Sequence, residues 1–234
     1  MCSERCLVNK YYWLATFALF VVAIAFVALR TPIEVTMGPI QKIFYLHLPV
    51  AIATFLACAV CFVASVGYAW KRDMAWDRLA SASARVAVIF CSVVLLTGMI
   101  WGRSAWGQWW TWSPRLTFSL VLWLLYVVYL MTRASFESPQ RRAIVSAVYG
   151  ILAFLDVPLV YLSVRLMPDI HPASVTLATP MKLALIAWFV PVLLSAGGLI
   201  AVRYQLEQRA ARRAADEVHP PTAAGRFNWV GGTA

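Results

Sequence analysis

The hydrophobic positions of this 234-residue chain are gathered into long blocks, and six of the blocks are about the length of a membrane-spanning helix. A helix needs about 20 apolar residues to cross the hydrocarbon of a bilayer. The predicted spans are residues 13–29, 44–70, 86–101, 116–131, 144–162 and 181–202. Because the connecting segments are short, we predict one all-α integral membrane domain over residues 1–205, followed by a polar tail over residues 206–234.

The composition supports a membrane protein. Hydrophobic residues make up 62% of the chain and charged residues 13%, and the mean hydropathy is +0.74. Soluble domains contain roughly 45–50% apolar and about 25% charged residues, so soluble enzymes, nucleic-acid-binding modules and disordered tails are excluded. Lys and Arg outnumber Asp and Glu by 20 to 10. In a membrane protein this excess records loop topology, and we expect membrane lipid, not nucleic acid, as a partner.

The distribution of the basic residues predicts the orientation. Fourteen of the 20 fall on the side that holds both termini, so both termini are predicted to be cytoplasmic and the first span to be uncleaved. The loops 30–43, 102–115 and 163–180 then share the outer face. The six basic residues on that face are Arg30, Lys42, Arg103, Arg115, Arg165 and Lys182.

Five of the 11 Trp residues lie within residues 101–112, at positions 101, 106, 109, 110 and 112. One interpretation is the aromatic belt that anchors helices at the headgroups. A belt, however, spreads its aromatic residues over many helix ends. Gly102 and Gly107 allow tight turns, and Arg103 and Arg115 flank the cluster. This Trp-rich loop between the third and fourth helices therefore favours a flat aromatic ligand that carries carboxylates.

The chain has three histidines, His47, His171 and His219. His47 and His171 are predicted on the outer face, and His219 in the solvated tail. Two histidines on one face could bind a metal ion or a haem iron. They could equally be hydrogen-bonded residues of an interface. The Trp cluster between them favours haem, since a porphyrin offers both a flat face and an axial iron.

Other polar residues within the spans carry weaker signals. Asp156 is an acid in the fifth span, where Pro158 is expected to kink the helix, and it could satisfy a freed backbone group, bind a neighbouring helix or have a chemical role. Cys58 and Cys61 are predicted to be small apolar fillers. The sequences C-x-x-C-H, Walker A, H-E-x-x-H and G-x-S-x-G do not occur. We therefore expect neither covalently attached haem nor a self-contained enzyme.

Three motifs give the chain a resemblance to a known family. The segment WGQWWTWSPRLT (residues 106–117) resembles the tryptophan-rich "WWD" signature of haem-handling proteins in cytochrome c maturation. The segments KIFYLHLP (42–49) and FLDVPLVYLSV (154–164) narrow the resemblance to CcmC, the haem exporter protein C family. The resemblance covers roughly residues 10–205.

The resemblance implies a function and a set of site residues. CcmC-like proteins bind haem b at the periplasmic face of the bacterial inner membrane and present it to the haem chaperone CcmE, in a complex with the transporter subunits CcmA and CcmB and the small protein CcmD. By analogy, His47 and His171 are the axial ligands of the haem iron. The residues expected along the macrocycle are Trp106, Trp109, Trp110 and Trp112, and those expected at the propionates are Arg115 and Arg103.

The chain departs from the family pattern in two places. Ser113 stands where the WWD motif has Asp. Leu166, Met167 and Pro168 stand where the family often carries Trp-Trp-Arg. Both histidines are retained, so haem binding and delivery is the leading prediction.

Two alternative functions are also compatible with these sequence features. The first alternative is a b-type cytochrome membrane anchor that exchanges electrons with quinone; such anchors place haem between spans, whereas here both histidines are expected at loop margins. The second is a permease for a small hydrophobic substrate, for which Asp156 would be the only acid in the predicted spans.

Overall fold

The computed structural model describes residues 8–35, 37–167, 171 and 176–218. In this part of the chain, six helical segments are long and apolar enough to cross a membrane, which confirms the predicted all-α architecture with six spans. A 3₁₀ helix covers Pro39–Ile43. The α-helices are α1 (Lys10–Arg30), α2 (Phe44–Lys71), α3 (Met74–Trp106), α4 (Pro114–Ala134), α5 (Pro139–Ala153), α6 (Asp156–Leu166) and α7 (Thr179–Val218).

The fifth span consists of two helices, where the sequence predicted one kinked helix. α5 and α6 together form the span Pro139–Leu166, and the chain turns at Phe154 and Leu155 between them. Pro158 explains the break, because it has no N–H to donate to the carbonyl of Phe154 and its ring would clash with that carbonyl. Asp156 lies at the start of α6 and is buried, and its Oδ2 has no hydrogen-bond partner among the described residues.

Helix α3 is longer than the predicted span 86–101 at both ends. At its start, the side chain of Asp73 caps the helix by accepting a hydrogen bond from the N–H of Ala75, at 2.8 Å. At its end, Gly107 adopts a left-handed conformation with φ 75°, and its N–H donates to the carbonyl of Arg103 at 3.1 Å. The loop therefore begins at Gly107. The expected turn at Gly102 is wrong, because Gly102 is buried inside α3.

Small residues let the central helices approach closely. α2 and α3 share the most extensive interface in the described part of the chain. Small side chains at intervals of three or four residues form the contacting stripes, which suits close helix packing in a membrane. The buried stripe residues are Ala53, Ala57, Cys61 and Ala64 on α2, and Ala80, Ala84 and Ala87 on α3. Cys58 and Cys61 are fully buried in this core, as predicted for apolar fillers.

Helix α7 connects the outer helix α1 to the bundle. The hydroxyl of Tyr12 donates to the carbonyl of Leu194 at 2.6 Å, and Phe20 meets Trp188 edge to face, so α1 and α7 run antiparallel. α7 continues without a break from the sixth span through residue 205 to Val218. The expected tail histidine His219 and the rest of the chain to residue 234 lie outside the described residues, as do Cys2, Cys6 and Pro168.

Ionic contacts, one of them buried, join the helices at one end of the bundle. The two terminal nitrogens of the Arg133 guanidinium, Nη1 and Nη2, donate to the carboxylate of Asp77 at 2.6 and 2.8 Å, and both side chains are buried. Glu207 accepts a hydrogen bond from Ser81 and pairs with Arg85. These contacts fasten α4 and α7 to the first turns of α3. The other end of the bundle, where α2 and α4 begin and α3 and α6 end, is hereafter called the cavity end.

Candidate functional site

A cavity of about 430 Å³ opens at the cavity end. This volume lies within the range of roughly 300–1,000 Å³ that is usual for small-molecule sites. Most of the lining is apolar, with aromatic side chains near the mouth. Six of the eight site residues predicted from the sequence line it: His47, His171, Trp106, Trp109, Trp110 and Arg115.

The cavity is deep as well as wide. Its lining residues on α3 extend from Trp106 down to Cys91, which corresponds to roughly 20 Å along the helix axis at 1.5 Å per residue. Leu122 of α4 and Val160 of α6 also line it, and both are buried. Such a slot between helices fits a large, flat, apolar ligand whose polar groups remain at the mouth.

His47 lies in the first turn of α2, and one of its ring nitrogens is held by α3. Its Nδ1 is 2.8 Å from Oγ1 of Thr97. The single hydroxyl hydrogen of Thr97 is donated to the carbonyl of Val93, at 2.7 Å. With that hydrogen on the carbonyl, Oγ1 is an acceptor toward His47, and we assign the imidazole proton to Nδ1. This tautomer leaves the Nε2 lone pair available to bind a metal, as is usual for metal-binding histidines.

Gly98 makes room for the His47 ring against the α3 backbone. A Cβ built at Gly98 would lie 3.3 Å from Cε1 of His47, which is tighter than an ordinary contact. Thr97 and Gly98 together form the α3 surface on which the imidazole rests. The orientation of His47 is thus set by one turn of α3.

Trp101 contacts both histidines. Its ring meets His47 edge to face with centroids 5.8 Å apart, and meets His171 in the same manner at 6.3 Å. Phe44 packs on it at 5.8 Å, and only 4% of Trp101 is exposed. Residues 168–170 and 172–175, on either side of His171, are outside the described part of the chain. The structure therefore brings both predicted histidines against one buried indole.

The other tryptophans continue from Trp101 toward the surface. Trp106 lies nearly parallel to Trp101, with centroids 6.3 Å apart and planes at 23°. Trp109, which follows in the loop, lines the cavity and is 59% exposed. Trp110 also lines the cavity and meets Trp112 edge to face at 5.8 Å. Trp112 is not among the lining residues; it borders a neighbouring groove and is 75% exposed.

The two predicted arginines occupy different places. Arg115 lines the cavity from the first turn of α4 and donates to the carbonyl of Tyr161 at 3.2 Å. Arg103 is absent from the lining, and its guanidinium donates to the carbonyl of Gly107 at the end of α3. A cation in the last turn suits the negative end of a helix dipole. The structure therefore does not bring Arg103 together with the other predicted site residues.

Four residues of the site were missed as site residues by the sequence reasoning: Thr97, Gly98, Trp101 and Arg165. Trp101 was counted in the cluster but not assigned to the site. Arg165 lines the cavity from the last turn of α6. Its signal in the sequence was its place among the six basic residues of the predicted outer face. Thr97 and Gly98 had no distinguishing signal.

Comparison with known proteins gives consistent matches. A family model described as "Heme exporter protein C" (CcmC) matches residues 3–219. The chain is 32% identical over 166 residues to the "Heme exporter protein C" of Bradyrhizobium diazoefficiens. The aligned region covers 70% of this chain and 63% of that protein. It is 29% identical over 144 residues to the protein of the same name from Escherichia coli K12. This aligned region covers 61% of this chain and 58% of that protein.

A third relative, the "Heme exporter protein C" of Haemophilus influenzae, is 30% identical over 184 residues, which is 75% of this chain and 74% of that protein. The chain spans less than two thirds of the length of the first two relatives. The family model nevertheless covers both cavity histidines and all six spans. The chain therefore belongs to the heme exporter protein C family, and it is a multi-pass protein of the bacterial inner membrane.

Proposed function

We propose that this chain binds haem b at the periplasmic face of the inner membrane and presents it to a CcmE-like haem chaperone during cytochrome c maturation. The observation that carries the proposal is the cavity itself: two histidines flank one buried indole, and the described groups around them are mainly apolar and aromatic. Haem supplies a flat π surface and an iron with two axial positions when it is bound.

The residues of the cavity fit this cargo. In the tautomer set by Thr97, His47 carries a free lone pair on Nε2, which is the form that binds iron. His171 is the second axial ligand in the proposal. Trp106, Trp109 and Trp110 offer faces and edges to a macrocycle, and Arg115 offers a guanidinium for a propionate. Trp112 lies at the neighbouring groove, where it supports Trp110.

The proposed orientation puts the opening of the cavity at the periplasmic face of the membrane. The excess of basic residues falls at the opposite end of the bundle, where α1 begins and α7 ends, and positively charged loops stay in the cytoplasm. The cavity end then faces the periplasm. Arg103 and Arg115 are among the few basic residues on that side.

In this proposal the chain binds its cargo, shields it from water and leaves it open to the chaperone. His47 on α2 and His171 would hold the iron, and the buried ring of Trp101 packs against both imidazoles. The apolar walls exclude water from the inner part of the macrocycle. Trp109 lines the cavity and is itself exposed to solvent, so a histidine of the chaperone would reach the cargo beside it. This delivery needs no catalytic side chain.

The family resemblance adds further partners to the proposal. These are CcmA- and CcmB-like transporter subunits, a small CcmD-like membrane protein and membrane lipid. The opposite end of the bundle, where α7 extends to Val218 with basic residues on its last turns, is the part of the chain nearest the cytoplasm in this orientation.

Loading of the chaperone tests this function. The full chain is co-expressed with a tagged CcmE-like chaperone and the other components, and covalent haem on the chaperone is measured. We expect loading with the wild type and with His219→Ala, and loss of loading with His47→Ala and His171→Ala. Equal loading by all four proteins would contradict the proposal.

A further inference from the structure

We propose that one acyl chain of an outer-leaflet phospholipid lies in the groove next to the cavity and supports Trp110 from behind, so that lipid completes the wall of the binding site. This groove has a volume of about 320 Å³. Its lining residues are Leu95, Met99, Trp110, Trp112 and Leu120. The inference rests on the proposed function and adds to it a lipid partner at a defined place.

Three side chains separate the groove from the cavity. Leu95, Met99 and Trp110 line both spaces. Leu95 and Met99 are one turn apart on α3, and Trp110 belongs to the loop that follows this helix. An occupant of the groove therefore packs against the back of the cavity wall.

Trp110 is held in this wall by packing alone among the described residues. Its Nε1 is buried and has no hydrogen-bond partner in the described part of the chain. Trp112 meets its ring edge to face at 5.8 Å, but Trp112 is itself 75% exposed. Dispersion contacts weaken across even a small gap. An occupant of the groove would therefore stabilise the position of the Trp110 ring.

The groove is continuous with the lipid-facing surface of the bundle. The neighbours of its lining residues on α3 and α4 are apolar and 37–56% exposed: Leu96, Ile100, Val121 and Leu124. Both helices belong to the six that can cross a membrane. Apolar spaces of this kind are not filled by water. In the membrane, the hydrocarbon that covers these neighbours extends into the groove.

The depth of the groove matches one acyl chain. Leu95 lies about three turns inward of Trp106, the last residue of α3, which is roughly 16 Å along the helix axis. The hydrocarbon core of a bilayer is about 30 Å thick, so one leaflet contributes about half of this length. At the other end of the groove, the exposed indole of Trp112 suits the headgroup region.

A transmembrane helix of a partner is the alternative occupant, and the residues of the groove disfavour it. Helices approach closely in membranes along stripes of small residues, as α2 and α3 do here. The groove and its neighbours carry Leu, Met, Ile, Val and Trp instead. Large side chains leave a narrow space, and the flexible side chain of Met99 can adapt to a single chain.

The test compares haem binding in two surroundings. The purified full chain is placed in phospholipid nanodiscs or in a steroid-based detergent without a flexible alkyl chain, and ferric haem is titrated while the optical spectrum is recorded. We expect the wild type to bind haem about fivefold more tightly in nanodiscs, as for the gain of one aromatic packing contact. Trp110→Ala should bind haem more weakly and equally in both, because the chain then has no ring to support.

Substitutions in the groove make the test specific. Leu120→Trp and Leu120→Phe fill the groove with protein, so each should bind haem equally well in nanodiscs and in the detergent. Leu124→Trp is the matched control, because it adds the same ring one turn further along α4 at an exposed position, and it should keep the wild-type difference. Thermal unfolding of each variant verifies that the helices are intact.

A phospholipid with a diazirine in its acyl chain locates the chain directly. After illumination of nanodiscs that contain this lipid, mass spectrometry of peptides identifies the residues that carry adducts. We expect adducts at Leu95 and Met99 in the wild type and in Leu124→Trp, and a strong reduction in Leu120→Trp.

The contradicting outcomes are separable. Equal haem affinity of the wild type in the two surroundings, or an unchanged difference in both Leu120 variants, refutes lipid support while the proposed haem-binding function stands. Absence of adducts at Leu95 and Met99 also refutes it, and a groove reserved for a partner helix would give this result. If the wild type binds haem in neither surrounding, the proposed function itself is contradicted.

Discussion

At the scale of single residues, the chemistry of the site depends on which nitrogen of His47 carries the proton. A neutral imidazole protonated on Nε2 would turn its lone pair toward α3 and away from the cavity. When the hydroxyl of Thr97 donates to the carbonyl of Val93, its lone pairs face His47 and favour the Nδ1–H tautomer. A threonine on helix α3 thus orients His47, the proposed iron ligand on helix α2.

Replacing Thr97 tests this control. Thr97→Val keeps the shape of the side chain but removes the acceptor, so Nδ1–H loses its partner and the affinity for haem should fall about tenfold, as is typical when the residue that orients a metal-binding histidine is lost. Thr97→Ser keeps the hydroxyl and should bind haem like the wild type. The measurement is an optical titration of haem into each purified protein. Wild-type affinity in Thr97→Val would show that the hydrogen bond does not orient the ligand.

Residues that belong to a rare type or to a known motif could be predicted from the sequence. His47, His171 and the tryptophans of the loop are of this kind, and the structure brings most of them to one cavity. Thr97 and Gly98 could not be predicted, because their role depends on a contact across 50 positions of sequence. Threonines that bond to a carbonyl one turn earlier are common in helices, so nothing marked this one.

At the scale of elements, the sequence prediction was wrong mainly at the ends of helices. Gly102 was expected to turn the chain, but the helix continues past it to Gly107, which alone of the two has a positive φ. A helix tolerates a glycine when small size is useful, and a Cβ at Gly102 would lie 3.3 Å from the carbonyl oxygen of Gln108. As a result Trp101 and Trp106 are held on α3 and are not part of the loop.

The arginines of the cavity end and the fifth span also differ from the sequence prediction because of where helices end. Arg103 and Arg165 each lie in the last turn of a helix, and sequence alone could not say which of them faces the cavity. Pro158 correctly marked a disturbance in the fifth span, but the pattern did not predict a complete break into α5 and α6. The break lets Asp156 begin a helix within the bundle.

The start of α4 offers a test of one family departure. Ser113 occupies the N-cap position, yet it makes no capping hydrogen bond, and its Oγ has no partner among the described residues. Aspartate at this position, as in the WWD motif, would accept from the free N–H groups of the first turn and would carry negative charge next to the positive end of the helix dipole.

We therefore predict that Ser113→Asp raises the free energy of unfolding by about 1 kcal/mol. Ser113→Ala is the matched control and should change stability little, since the wild-type side chain forms no cap. Thermal unfolding in detergent, followed by circular dichroism, measures both. A lower melting temperature for Ser113→Asp would contradict the assignment of an unused N-cap.

At the scale of the whole molecule, the two ends of the bundle are built differently. The buried pair of Asp77 and Arg133, with Glu207 beside it, fastens three helices at one end. The other end holds a deep cavity and a short loop with three tryptophans. This difference between the ends fits a protein whose helices are fastened together at one face of the membrane and which exchanges a ligand at the other face.

The orientation itself is a prediction that can be tested. An epitope inserted after Gly107 should be reached by antibody in intact spheroplasts, because the cavity end faces the periplasm. An epitope at the C-terminus should be reached only after the membrane is permeabilised. The opposite pattern of accessibility would invert the orientation and exclude delivery of haem to a periplasmic chaperone by this face.

The central claim is that His47 and His171 together hold a haem in this cavity. The most direct measurement is the reduced optical spectrum of the purified wild type, of His47→Ala and His171→Ala, and of His219→Ala as the matched control. The account predicts a bis-histidine b-type spectrum in the wild type and in His219→Ala, and its loss in both cavity variants. Unchanged haem content in His47→Ala and His171→Ala would contradict it.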